Sequence, residues 1–342
     1  MICNSRWAAA FLIAAAVSIS HAQERSAPVL KLIKADALPG YTGDFDHFAV
    51  DYTRSRILLS AEDHGTLEVF SLKTGDHLRT VKGKIDTPHS ILVRPGSPTI
   101  FLTDSGKSMS KILNADTLAE VKEVPLTIGA DSTGYDPAGK LLYVVTGGKD
   151  VNMKTANLEA VDPATGKREG SITFNDDHVE AMTLEKNGPR IFINLTQSNK
   201  IAVVDRRTMK VVANWPVPPA KQNAMVALDE QQHRLYVVCR DPGMVVAMNS
   251  DTGAVISTAP APLRADDEMY DRADHLLYVP GGQGYMGIYD TSNPDHVKMI
   301  GKVTTAPGAK TGLLLLGRHE LVLAASPGDT KETAKVLFYS IH

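Results

Sequence analysis

Short apolar runs punctuated by turn residues recur along the chain, and each weak run is followed by a turn and a stronger run rich in Val, Ile, Leu and Tyr. The strong runs are Arg56–Ala61, Thr99–Thr103, Leu141–Thr146, Arg190–Leu195, Arg234–Cys239, Leu276–Pro280 and Glu320–Ala325. Apolar runs this short, bounded by turn signals, read as strands. The residues closing the weaker strands are Asp51, Arg94, Asp136, Glu185, Asp229 and Asp271, spaced by 43, 42, 49, 44 and 42 positions. A β repeat with a period in the forties predicts propeller blades.

A third strand in each unit runs into turn chemistry, as in Leu67–Leu72 before Lys73-Thr74-Gly75-Asp76, or Val245–Asn249 before Ser250-Asp251-Thr252-Gly253. Thr-Gly and Asx clusters close hairpins through side-chain-to-backbone bonds and a position with φ > 0. A fourth strand follows, for example Val211–Trp215 or Val297–Val303. The seventh unit reaches His342 after only three strands, and Val29–Ala35, ahead of the first unit, is left to supply its outer strand. The expected fold is all-β: one domain over residues 23–342, a seven-bladed β-propeller of four-stranded antiparallel blades, its ring closed by that N-terminal strand.

Residues 1–22 stand apart from this pattern. Arg6 precedes the apolar run Trp7–Ile19 and then Ser20-His21-Ala22, which reads as a secretory leader with a small-x-small cleavage site. The run is too short for a membrane span, which needs roughly 20 residues, so a periplasmic or secreted protein is expected. Cleavage would remove Cys3 and leave Cys239 alone in an apolar strand, ruling out an intramolecular disulfide and favouring a buried, inert thiol. Lys plus Arg number 36 against 39 Asp plus Glu, a net charge of -3, so no basic excess is available to hold nucleic acid. No Cys-x-x-Cys-His, Gly-x-Ser-x-Gly or phosphate-cradling glycine motif occurs. A single Trp beyond the leader, Trp215, offers little stacking surface for a quinone cofactor.

Leu142-Tyr143-Val144-Val145, Ile191-Phe192-Ile193-Asn194 with Asn199–Asp205, and Leu277-Tyr278-Val279 resemble the YVTN-type repeat of the YncE-like exported propellers. Phe45-Asp46-His47-Phe48-Ala49-Val50-Asp51 strengthens the likeness to one bacterial branch. The resemblance covers essentially the whole chain after the leader. It implies the fold and export; it transfers no catalytic motif.

In a propeller, strand a of each blade lines the central channel, and the d-to-a and b-to-c loops share one face. Hairpins such as Asp136-Pro137-Ala138-Gly139 on the other face read as structural. On the first face, strand a begins with Asp46-His47, Pro88-His89, Ala130-Asp131, His178-Val179-Glu180, Gln222-Asn223, Asp266-Asp267-Glu268 and Ala309-Lys310. Seven such ends converge on one mouth. Asp46, His47, His89, Asp131, Asn223 and Lys310 are therefore the expected ligand-binding residues. His47, His178, Glu180 and Asp267 form an imidazole and carboxylate set suited to one divalent cation. The long loop Gly147–Thr155 and the segment Pro327–Lys335 are placed to gate the channel.

The same polar residues serve equally well as loop caps in a wet channel, so two functional readings stay open. One is a monomeric binding module that takes a small polar ligand or a partner's loop. The other is a metal-dependent hydrolase or lyase acting on a lactone or sugar acid, a substrate class suggested by fold analogy alone.

Overall fold

A strand that is apolar on both sides must be covered on both, and the strong runs are buried along almost their whole length: Arg56–Ala61 (β3), Arg190–Leu195 (β15) and Leu276–Gly281 (β23). The computed structural model, which describes residues 25–106, 109–328 and 332–342, shows what covers them. Twenty-eight described strands form seven four-stranded antiparallel sheets, and six of these run in chain order, as in Phe48–Asp51 (β2), β3, Thr66–Ser71 (β4) and His77–Val81 (β5). The chain is a seven-bladed β-propeller. The leader read at residues 1–22 lies outside the described residues.

Among the described residues, buried apolar side chains gather into seven clusters, and each cluster joins two neighbouring blades. Tyr143, Val145, Ile191 and Ile193 weld the third blade to the fourth, for instance, and Phe338, Val336, Ile57 and Phe70 weld the seventh to the first. The core is thus a ring of wedges. Outer strands alternate instead, so that Leu78, Val121 and Val212 stand exposed on the rim.

The acids that revealed the repeat have a structural role. Asp51, Asp136, Asp229 and Asp271 end strand a on the far face, are nearly fully buried, and accept backbone N–H groups of the a-to-b turn: Arg54, Ala138, Gln232 and Ala273 at 2.9–3.1 Å. Several also reach across blades. Tyr270 of the sixth blade donates to Asp229 of the fifth at 2.6 Å, and Arg206 of the fourth pairs with Asp136 of the third at 3.2 Å.

Ring closure follows the expected swap. Leu30–Leu38 (β1) pairs antiparallel with Ala334–Ile341 (β28), from Leu30 opposite Ile341 to Leu38 opposite Ala334. The seventh blade is ordered β1, β28, Glu320–Ala325 (β27), Ala309–Leu315 (β26), so the chain's first strand is its outermost. Most of β28 is buried, and without β1 its unpaired edge would face solvent. Starting the chain at Pro39 should therefore lower Tm by at least about 5 °C, equivalent to a few kcal/mol for a domain this size. Calorimetry on the truncated and full-length proteins checks this; matching melts would mean that β1 does not hold the ring.

Candidate functional site

Strand a carries an extra residue at its channel-mouth end in every blade. In the second blade the ladder steps from Pro88–Asp104 to Ile91–Leu102, in the fourth from Val179–Leu195 to Met182–Ile193, and in the seventh from Ala309–Ala325 to Thr311–Ala324. In the first blade Asp46 donates its N–H to Ser60 while Ser60 donates back to His47; Asp131 and Ser132 share Val145 the same way in the third. The sixth blade takes four steps, Ala265 to Met269, against three on its partner. These are β-bulges, which turn a side chain out of the strand's alternation.

The bulge positions are Asp46, His89, Asp131, Glu180, Ala224, Asp266 and Lys310. Six of the seven are titratable, and all seven line a cavity of about 730 Å³ at the channel mouth. The residue before each bulge is buried: Phe45, Pro88, Ala130, Val179, Asn223, Ala265 and Ala309. Asn223 therefore does not face the mouth. It is fully buried, and its amide nitrogen bridges Asn194 Oδ1 at 2.7 Å and the Lys200 carbonyl at 2.9 Å. The bulge shifts the register by one residue from the one the sequence suggests, and Ala224 holds the channel position of that blade.

The other expected residues line the channel. Asp46, His47, His89, Asp131, His178, Glu180 and Lys310 surround the mouth, while Asp267 lies one step down, against an inner chamber of about 440 Å³ walled by Ile91, Met182, Val226, Met269, Leu313 and Leu314. Two residues at the ends of b strands went unanticipated, Glu62 and Arg240. Both were legible in principle, since each is a charged residue following an apolar b strand into a loop on the channel face.

Arg240 compensates for Ala224. Its guanidinium donates to Glu180 at 2.9 Å and also to Asp266, bridging the neighbours on either side of the small residue. Lys310 continues the chain, 2.7 Å from Asp266 and 3.0 Å from Asp44. His178 Nε2 donates to the Glu180 carboxylate at 2.8 Å. Burial opposes ionisation of Glu180, but His178 and Arg240 prevail and hold its carboxyl below the usual range. Across the channel His89 Nδ1 sits 2.5 Å from Asp46 Oδ2 and 3.5 Å from Asp131 Oδ1, with Glu62 at 4.0 Å from Nε2. Burial disfavours a charged His89, yet Asp131, Asp46 and Glu62 outweigh it and push its pKa up to about 10.

The acids respond unequally. Burial would raise Asp46, but His47, His89 and Lys310 bring it down to about 2. Burial, reinforced by Asp46 and Glu180 and only partly offset by His89, lifts Asp131 to about 6. Burial likewise lifts Glu62 to about 7. Asp267 rises by burial to about 6, although His47 and the N–H groups of Gly312 (3.1 Å) and Glu268 (2.8 Å) oppose the rise.

Two ligand-atom groups lie within 4.8 Å of one another: Asp46, His47 and Asp131, and Asp46, Glu62 and His89. Neither contains His178, Glu180 or Asp267, so the four residues expected from sequence to hold a cation are not drawn into one cluster. The loop after Leu141–Gly147 (β11) contains a 3-10 turn, Lys149–Val151, and its Lys149 N–H donates to the Asp177 carbonyl at 2.7 Å. Lys149, Asp150 and Val151 line the mouth. The other expected gate, Pro327–Lys335, falls in part outside the described residues.

No protein-family model matches the chain, and no curated protein matches it.

Glu268, beside the inner chamber, has both carboxylate oxygens shut off from solvent with no hydrogen-bond partner among the described residues. Burial, with a smaller contribution from Asp267, holds its pKa well above the ordinary glutamate value. A raised folded pKa in an acid favours the folded state below the unfolded value, about 4.3, and that advantage is lost as pH rises toward the folded value. Glu268→Gln, which mimics the protonated acid, should melt with wild type near pH 4 and about 2 °C or more above it at pH 8, where the unfolded chain ionises the glutamate that the folded chain resists ionising. Identical Tm profiles across that range would show that Glu268 is satisfied.

Proposed function

We propose that this protein is an exported, monomeric binding module of the YVTN-repeat, YncE-like kind, and that it captures a small polar ligand, cationic or neutral, at the channel mouth. One observation carries the reading: six of seven blades aim a titratable side chain from the same bulge into one cavity of about 730 Å³. Export is supported by the leader pattern at residues 1–22 and by Cys239, the single cysteine beyond it, which is buried and free. A closed ring completes the site within one chain. The tip of a partner's loop fits the same cavity.

The charge of the lining selects the ligand. Eight carboxyl groups, Asp44, Asp46, Glu62, Asp131, Asp150, Asp177, Glu180 and Asp266, face four cations, Lys149, Arg240, Lys310 and the protonated His89. Such a lining repels anions. That weighs against a sugar acid, and with it against the hydrolase or lyase reading in that form. In the cation set of that reading, Glu180 already holds Arg240 and His178, and Asp267 accepts two backbone N–H groups.

Covalent catalysis is the other enzymatic route. Ser105 Oγ lies 3.1 Å from His89 Nε2, and His89 Nδ1 lies 2.5 Å from Asp46, the connectivity of a nucleophile, base and acid. A base must be free to take a proton. His89, facing Asp46, Asp131 and Glu62, retains its own at neutral pH, which leaves Ser105 unactivated. A fluorophosphonate probe should leave Ser105 unlabelled at pH 7; stoichiometric labelling there would restore acyl transfer.

Titration calorimetry against amines, neutral polyols and sugar acids tests the binding reading. Cationic compounds, more weakly as salt rises, or neutral ones should bind and should stabilise the fold by about 2.7 kcal/mol at a hundredfold excess over Kd. Binding by sugar acids alone, or binding undiminished by Asp131→Asn together with Glu180→Gln, would overturn it.

A further inference from the structure

We infer that the mouth holds one divalent first-row transition cation, with Asp46, His47 and Asp131 as its ligands. This rests on the binding reading above, and it differs from the set His47, His178, Glu180 and Asp267 that convergence of the strand ends suggested from sequence.

The first argument is geometric. Asp46 and His47 are adjacent, and ordinary strand alternation would send them to opposite sides. The bulge at Asp46 removes that restriction: both oppose Ser60, and both side chains reach the cavity, with His47 Nε2 at 3.5 Å from Asp46 Oδ1. Asp131, from the equivalent bulge two blades away, completes three donor atoms within 4.8 Å of one another. Donors that share a cation at about 2.0–2.2 Å lie at most about 4.4 Å apart, and the 3.5 Å between His47 Nε2 and Asp46 Oδ1 meets that limit. Two carboxylate oxygens and one imidazole nitrogen suit zinc or manganese better than calcium or magnesium, which prefer oxygen alone.

The second argument concerns which atoms are already taken. Asp46 Oδ2 is engaged by His89 Nδ1 at 2.5 Å, so Oδ1 is the atom turned to His47. A neighbour that fixes the free oxygen of a ligating carboxylate is the usual outer support of a metal site. His89 is itself fixed from behind by Ser105 Oγ at 3.1 Å. The Asp131 carboxylate, by contrast, has no partner among the described residues nearer than His89 at 3.5 Å.

The third argument is the order of charges around the mouth. Going round from Asp44, the cations Lys310 and Arg240 alternate with Asp266 and Glu180, and His89 separates Asp46 from Asp131. Between Asp131 and Glu180, in adjacent blades, no described ion pair intervenes. Asp131 thus has a positive neighbour, His89, on one side only.

The full chain, stripped with a chelator, is dialysed against zinc or manganese chloride, and bound metal is measured by elemental analysis and titration calorimetry. One equivalent is expected. Asp46→Asn, His47→Ala and Asp131→Asn should each weaken binding at least tenfold, and His89→Asn about tenfold through the loss of its hold on Asp46. His233→Ala and His319→Ala, in a-to-b turns on the opposite face, should leave the affinity within about twofold of wild type. Melting curves identify any variant that fails to fold; Asp131→Asn, a near-isosteric change on a part-exposed side chain, is the one to weigh if Asp46→Asn does fail. Binding below stoichiometry, binding untouched by Asp131→Asn, or binding abolished by His178→Ala and Glu180→Gln would each overturn the assignment. Amine binding without metal uptake would overturn it while leaving the binding module intact.

Discussion

A four-stranded blade with two apolar faces cannot bury either of them alone. Each must be covered by a neighbour, and only a closed ring leaves no blade with an uncovered face. Everything else about this protein depends on that closure. The seven inter-blade clusters are its packing expression, and the pairing of β1 with β28 is where the two ends of the chain enforce it. Acids at the far ends of the a strands cap the turns and tie blade to blade, which makes the ring stiff on the face opposite the mouth.

Stiffness there gives the channel face its geometry. Strand a is the edge strand of every blade, and its inner edge has no ladder to satisfy, so an extra residue is tolerated at its mouth-side end. Repeated seven times, the bulge becomes a ring of side chains aimed at one space. The blades then divide the work by residue choice: acids in four, an imidazole in one, an ammonium in one, and an alanine whose place is filled by Arg240 from the end of its own b strand. Charges alternate along most of this ring, so most of the buried carboxylates are held by a neighbouring blade.

That alternation also shapes the chemistry. His89 has the serine and the aspartate that a catalytic base would need, but it has two carboxylates too many. It is held as a cation and serves to orient Asp46. Acids outnumber cations at the mouth, and its polar walls stand above a chamber lined by Met182, Met225 and Met269.

The local period decided a great deal. Strong b strands, turn chemistry and capping acids are all satisfied within one blade or its immediate neighbour, so the repeat, the blade count and the closing strand could be read from spacing alone. The convergence of Asp46, His47, His89, Asp131, Glu180 and Lys310 on one mouth followed from knowing which end of strand a each residue occupies. What spacing could not reveal was the bulge. It adds one residue without changing composition, and it moves Asn223 into a blade interface and Ala224 onto the channel. Nor could it reveal partners. Whether Glu180 is free to take a cation depends on Arg240, sixty residues away, and whether Ser105 is activated depends on how many acids surround His89. Strand order and turn type are set by short-range sterics and apolar pattern, which the sequence carries directly. The charge and protonation of each group at the mouth are sums over neighbours from several blades, and those sums exist only once the ring has closed.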